Sequence, residues 1–188
     1  MLEKESQLYE KVKNDRRIDD YRWVAYIMAT VKHETANTFK PITEYGPRRY
    51  FDKYEPNTKI GKSLGNKQTG DGFKYSGKGY SMITGLANFT KFENLLDLPL
   101  VKNPELALHP DVAYEILIQG MIDGLFTGKK LATYFNDNLT DWVNARRIIN
   151  GIDKAELIAG YAKDYFKLLT NEILSDEKSS KVKTVLTD

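Results

Sequence analysis

Glu34 and Glu44 are the side chains of this 188-residue chain whose type and placement best suit proton-transfer chemistry. Glu34 closes an apolar run, where taking a carboxylate out of water is costly, and the small residues Thr35, Ala36 and Asn37 leave room beside it. Taken alone it reads more readily as a part-exposed glutamate at a helix end. Glu44 follows ten residues later, beyond Pro41, so the two cannot share one helix face and would meet only across a cleft. One carboxyl kept protonated in an apolar setting, opposite an ionised one in a polar setting, is the pair that glycoside hydrolysis requires. Spacing alone does not separate that pair from two surface carboxylates.

Other motifs fall short of their chemistry. Gly72-Phe-Lys-Tyr-Ser-Gly77-Lys78-Gly79 nearly spells a phosphate-binding loop, but Gly79 stands where a hydroxyl must reach magnesium, and no apolar strand precedes it. Met82 occupies the place of the third glycine of a dinucleotide fingerprint. The glycines read instead as places where the backbone turns or approaches a ligand. His33-Glu34 begins a zinc-protease motif that Asn37 breaks. With no Cys, and only His33 and His109, a metal centre is not expected, and a disulfide framework is excluded. His33 reads as a structural histidine and His109, before Pro110, as a helix-opening residue.

The elements that must hold these residues are helical towards both ends and irregular in the middle. Residues 19–34 place Trp23, Ile27 and Val31 at i, i+4 and i+8, the stripe of a helix with a buried face, which Pro41 keeps from continuing. Residues 41–79 carry seven glycines, which predicts loops with at most a small β-hairpin. A stretch of that length inside a compact domain is usually functional, so the site is expected there. Leu86, Phe89, Phe92 and Leu96 predict a helix, and Pro110 opens another that carries Ala113, Ile116, Leu117, Gly120 and Met121 on one face and ends at Gly128. Short helices are expected over residues 131–135 and 142–149. Asp153 with Glu156 then forms a capping-box pattern, opening a last helix with Ile158, Tyr161, Tyr165 and Leu168 inward. Trp23 and Trp142 are assigned to packing, whereas Tyr45, Tyr50, Phe51 and Tyr54 in the polar middle are open to either packing or stacking on sugar faces. The fold class is mainly α, one domain over residues 1–174, followed by a charged tail over 175–188 that is expected to fray.

Charge adds a weaker argument. A balance of 28 Lys and Arg against 26 Asp and Glu, net +2, gives no case for a nucleic-acid partner. Residues 46–80 nevertheless hold eight basic residues against three acidic ones, which is either a solvated loop face or a surface for an anionic polymer. The N-terminal Met-Leu-Glu-Lys-Glu lacks the features of a secretory signal, and the most apolar stretch, residues 23–31, is about half the length needed to span a bilayer. No stable membrane insertion is expected, and the chain is expected to be a monomer made in the cytoplasm.

Four segments carry a resemblance, in order along nearly the whole chain from about residue 20 to 168. They are Ala25-Tyr-Ile-Met-Ala-Thr-Val-Lys-His33-Glu34-Thr35-Ala36; Pro41-Ile-Thr-Glu44; Gly70-Asp-Gly-Phe-Lys-Tyr75-Ser-Gly77-Lys78-Gly79-Tyr-Ser-Met-Ile-Thr84-Gly85-Leu-Ala-Asn88-Phe89; and Asn144-Ala-Arg-Arg147-Ile-Ile-Asn150-Gly151. Together the chain resembles the family 19 glycoside hydrolases, the chitinases and related lysozyme-like enzymes, many of them phage endolysins. The resemblance implies a lysozyme-like, two-lobed helical domain that needs no cofactor and cleaves β-1,4 bonds with inversion. It implies that Glu34 is the general acid, Glu44 the general base that activates water, and Thr84 the hydroxyl that helps to hold that water. Tyr75, Lys78 and Asn88 would line the cleft, and Asn150 and Arg147 would contact sugar. Lys78 stands where the family usually has Arg, losing the bidentate fork, and Met82 where it usually has Gln, losing the amide's hydrogen bonds.

Peptidoglycan and chitin share the bond type and both stay open as substrates. The absent signal, which suits release by a holin-type route, the absent cysteines and the basic middle favour peptidoglycan. A glycan-binding or virion module without turnover is the reading from another class, motivated by Met82 and Lys78.

Overall fold

The computed structural model describes residues 1–185. Its first helix, α1 (Glu3–Lys13), has no counterpart among the expectations above: only Leu8, Tyr9 and Val12 of its eleven residues are buried, too few to print a stripe. Glu3 and Glu5 in its first turn and Lys11 and Lys13 in its last match the helix dipole. The second helix, α2 (Tyr21–Glu34), starts as expected, with the Asp20 carboxylate accepting the Arg22 N–H at 2.8 Å. Every residue from Val24 to Val31 is buried, so α2 is the central helix of the larger core, packed along α8 (Ala155–Val185). Thr30 and Thr35 donate back to the Tyr26 and Val31 carbonyls, at 2.8 and 2.7 Å, which satisfies their hydroxyls inside that core.

The Gly-rich middle is more ordered than the sequence suggests. Strand β1 (Ile42–Thr43) pairs antiparallel with β2 (Lys78–Gly79), Ile42 opposite Gly79 and Thr43 opposite Lys78. Between them lie a 3-10 helix (Arg48–Tyr54) and two short helices, α3 (Lys59–Ser63) and α4 (Asp71–Lys74). Side-chain caps explain how so polar a stretch holds this form. The Thr58 hydroxyl accepts the Gly61 N–H at 2.9 Å, and Asp71 Oδ2 accepts the N–H groups of Lys67 and Gln68 at 2.8 and 2.9 Å. A Cβ on Gly61 would lie 2.0 Å from the Glu55 carbonyl oxygen, so only glycine lets α3 sit against the 3-10 helix.

Helix α5 (Leu86–Leu96) and a 3-10 helix (Pro104–Leu108) lead to α6 (Pro110–Asp123), with His109 as N-cap and Pro110 in its first turn. This helix ends at Gly124, φ 73°, whose N–H donates to the Gly120 carbonyl, rather than at the expected Gly128. Gly128 closes the following turn instead, its N–H donating to the Gly124 carbonyl at 2.8 Å. Helix α7 (Leu131–Tyr134) runs into a small hairpin, β3 (Phe135–Asn136) with β4 (Leu139–Thr140), and a 3-10 helix (Asn144–Ile148) follows. The last helix begins at Ala155 after Lys154 takes φ 58°, so Asp153 stands outside the position a capping box needs. Of the tail expected to fray, the backbone is helical to Val185, since a packed helix needs only propagation and no new nucleus. Residues 186–188 lie outside the described residues.

The architecture is mainly α with two small antiparallel strand pairs. Two apolar clusters form its interior. The larger joins α1, α2, α6, α7 and α8, and the smaller gathers Tyr75, Ile83, Phe89, Phe92, Leu100 and Ala107 around Ile116 of α6.

Candidate active site

Glu34 is the last residue of α2, and the turn after it is fixed by Thr35, whose hydroxyl also accepts the Phe39 N–H at 3.1 Å. Its carboxylate is not set in an apolar pocket. Arg146, from the 3-10 helix before α8, donates Nη1–H to Glu34 Oε1 at 2.5 Å and Nε–H to the Asp153 carbonyl at 3.1 Å. The Arg146 side chain is 5% exposed and that of Glu34 15%. A buried guanidinium requires such partners, and the C-terminal end of α2 adds its own negative dipole end.

Glu44 directly follows β1 and is addressed by three donors. Its backbone N–H donates to the Gly77 carbonyl at 2.7 Å, and the Gly77 N–H returns to Oε2 at 3.1 Å. The Tyr54 hydroxyl donates to Oε1 at 2.9 Å, and Lys53 Nζ stands 3.8 Å from the same oxygen. Burial, with Glu44 as an acceptor beside it, raises Tyr54 above its ordinary value and keeps it a donor. Gly77 makes this closeness possible: a Cβ there would lie 3.1 Å from Met82 Cε and 3.3 Å from Glu44 Cβ and Oε2.

Met82, at φ 54°, thus brings its methyl group against the backbone that holds Glu44, where an amide could have reached a carboxylate. The Thr84 hydroxyl donates to the Met82 carbonyl at 3.0 Å, and Asn88 Nδ2 donates to the Thr84 carbonyl at 2.8 Å, so these three residues form one connected turn at the start of α5. Tyr75 is buried in the smaller core, its hydroxyl donating to the Val101 carbonyl at 3.1 Å. The Lys78 side chain is 3% exposed and donates to the Lys74 carbonyl and the Ser76 hydroxyl at 3.2 and 3.4 Å, with Glu105 Oε1 at 3.5 Å. Burial pushes its ammonium below the ordinary lysine value. Both residues therefore act as packing and scaffold for the Gly77 backbone rather than as an open wall. Arg147 and Asn150 are exposed, and Arg147 Nε donates only to Asn144 Oδ1, at 3.4 Å, among the described residues.

The sequence does not mark Arg146 or Lys53 as partners of the carboxylates, and it leaves Tyr54 open between packing and sugar stacking, not as the Glu44 donor it is. Arg146 adjoins Arg147, and the phase of a 3-10 helix decides which of two adjacent arginines turns inward. Of the loop aromatics, Tyr45 is 98% exposed and Tyr50 is exposed, whereas Phe51 is buried edge-on to Tyr50 and Phe73 at 5.2 and 5.4 Å. Trp142 packs between Phe135 and Phe166, and Trp23 Nε1 donates to the Phe135 carbonyl at 3.2 Å, as packing residues should. Among the described residues no three His, Cys, Asp or Glu side chains gather as a metal would need, and no helix is long and apolar enough to cross a membrane.

Glu34 and Glu44 are thus both part-exposed and have unlike partners, a buried guanidinium for Glu34, and a backbone N–H, a phenol and a more distant ammonium for Glu44. No protein-family model matches the chain, and no curated protein matches its sequence.

Proposed function

We propose that the protein is an inverting glycoside hydrolase that cleaves the β-1,4 bonds of peptidoglycan. Glu34 protonates the leaving oxygen and Glu44 activates water, which Thr84 helps to hold. The observation that carries this reading is a pair of part-exposed carboxylates at the two ends of one loop, each fixed by dedicated donors. Arg146 donates to Glu34 Oε1, so in this reading the proton that Glu34 delivers is carried on Oε2, which takes no hydrogen bond among the described residues, although the apolar setting expected for an acid is not what surrounds it. Glu44 receives an N–H on one oxygen and an O–H on the other, donors that hold it in place to accept a proton from water. The cationic surplus of residues 46–80 favours an anionic wall over neutral chitin.

Incubation with purified peptidoglycan and with chitin oligomers, followed by identification of the new reducing end and its anomer, tests the reading. Peptidoglycan should yield the inverted anomer; cleavage of chitin alone would make the protein a chitinase. Glu34→Gln should lower turnover by roughly 10² to 10⁴, and a folded variant with wild-type turnover would remove Glu34 from the mechanism. A glycan-binding module without turnover is the second reading, favoured by the Met82 methyl group beside Glu44. Saturable wall binding with no reducing ends released would establish it in place of the first.

A further inference from the structure

A cavity of about 440 Å³ lies between α1, residues 39–41, Tyr80 and the first turn of α6. Its size is within the roughly 300–1,000 Å³ of sites that enclose small ligands, enough for a short peptide. The floor is apolar, made by the buried Leu8, Phe39, Tyr80 and Tyr114. The rim is cationic: Lys4, Lys11 and Lys40 are all exposed there, against Asp111 alone, which is paired with Lys11 at 2.7 Å. The N-terminus of α6 opens on the same space, and its N-cap, His109, makes no side-chain capping bond to the first turn. Apolar floor, net positive rim and uncapped helix amides together suit a ligand with small apolar groups and several carboxylates.

The position of the cavity is what gives it meaning. Along β1, Pro41 belongs to the cavity and Glu44 stands three residues on. Along β2 the order is mirrored, with Gly77 against Glu44 and Tyr80 in the cavity wall. The backbone from Pro41 at the cavity to Glu44 therefore spans about 10 Å at the rise of an extended chain, with side chains alternating between the two faces along it. A peptide branch of three or four residues attached to a sugar near Glu44 covers that span.

We infer that this cavity holds the peptide stem of the peptidoglycan strand, a short, net-negative peptide rich in small side chains. The inference rests on the glycosidase reading and deepens it, because chitin carries no such branch. The two carboxylates treat both polymers alike, and the cavity supplies the discrimination.

The test has two arms. In the first, backbone NMR spectra are recorded with the free tetrapeptide L-Ala-γ-D-Glu-meso-diaminopimelate-D-Ala, with chitotetraose and with the cationic peptide Ala-Lys-Lys-Ala. The acidic peptide should shift the amides of Lys4, Lys11, Phe39, Lys40 and Tyr80 and saturate. Its affinity should fall about tenfold in the Lys4→Glu/Lys40→Glu double variant, whose two exposed positions allow charge reversal without loss of fold. Shifts only elsewhere, or equal binding of the cationic peptide, overturn the inference. In the second arm, kcat/KM is measured on intact glycan strands and on strands stripped of their peptides by an amidase. The ratio of intact to stripped should fall about tenfold in the double variant. An unchanged ratio, with the wild type cleaving both substrates, overturns the stem site and keeps the glycosidase. Cleavage of neither substrate by the wild type overturns the glycosidase reading, and the NMR arm still decides what the cavity binds.

Discussion

Replacing Arg146 by Met would leave the Glu34 carboxylate without its cation and the Asp153 carbonyl without its donor. Breaking a buried pair by removing one partner is costly, and because Glu34 keeps some contact with water we expect a loss of about 2–3 kcal/mol. Denaturant midpoints measure it; Arg146→Lys should recover part, since it keeps charge but cannot bridge both acceptors. A wild-type midpoint in Arg146→Met would show that the pair does not tie the 3-10 helix to α2. Gly77→Ala tests the other carboxylate. The added Cβ must displace Met82 Cε or Glu44 by a few tenths of an ångström, and turnover should fall about tenfold or more through misplacement alone. Met82→Ala in the same chain removes one of the two obstacles and should restore part of that loss; no restoration would mean that Glu44, not Met82, is the residue displaced. The sequence marks Glu34 as a candidate by its place at the end of an apolar helix and Glu44 through the resemblance, but the apolar setting it leads one to expect for Glu34 is replaced by Arg146. The partners of the two carboxylates were not legible, since Tyr54 and Arg146 are identified only by which way a 3-10 helix turns its side chains.

The helices split along the same physical line. Helices α2, α5 and α6 were legible from long apolar stripes and a proline start, whereas α3 is held by the Thr58 cap, α4 is a single turn with no side-chain cap of its own, and α1 turns only three residues inward. What fastens α1 is partly a charge cluster at its end. The Asp15 carboxylate pairs with Arg17 at 2.6 Å and accepts the Tyr114 hydroxyl of α6 at 2.8 Å, while Arg17 also reaches Glu115 at 2.7 Å. The hydrogen-bonded Arg17 guanidinium, with Tyr114 as a further donor, holds the Asp15 carboxyl at about 2. An unfolded aspartate titrates near 3.9. The folded form therefore gains stability that is complete above about pH 4 and lost as pH falls through about 2. Discounted for solvent screening, Asp15→Asn should cost about 1 kcal/mol at neutral pH, and the gap to the wild type should close in acid. Urea midpoints across that range decide it, and a gap that persists unchanged at low pH would assign the loss to packing instead of charge.

Across the whole molecule, near-neutrality conceals a division that the fold sharpens. The chain is net +2, yet residues 46–80 alone carry a surplus of five, leaving the remainder net negative. Folding turns the acids of that segment inward: Glu55 Oε2 accepts the Gly70 N–H at 2.8 Å and Asp71 caps two amides, so Asp52 is its one exposed acid. Arg48, Arg49, Lys59, Lys62, Lys67 and Lys74 all remain exposed. The segment that follows Glu44 thus presents a cationic surface, which the sequence count could suggest but not establish, because only the folded backbone shows which charges are consumed by backbone amides. Exposed charges act over the Debye length, about 10 Å at 0.1 M salt and 3 Å at 1 M. Cleavage of an anionic wall should accordingly weaken steeply over that range, whereas cleavage of uncharged chitin oligomers should not. Arg49→Glu/Lys62→Glu, which leaves every contact of Glu34 and Glu44 in place, should flatten the salt dependence on wall and lower its rate at low salt to near the high-salt value. Equal salt dependence on both substrates would trace the effect to the fold or the chemistry, and the basic segment would then have no part in choosing the substrate.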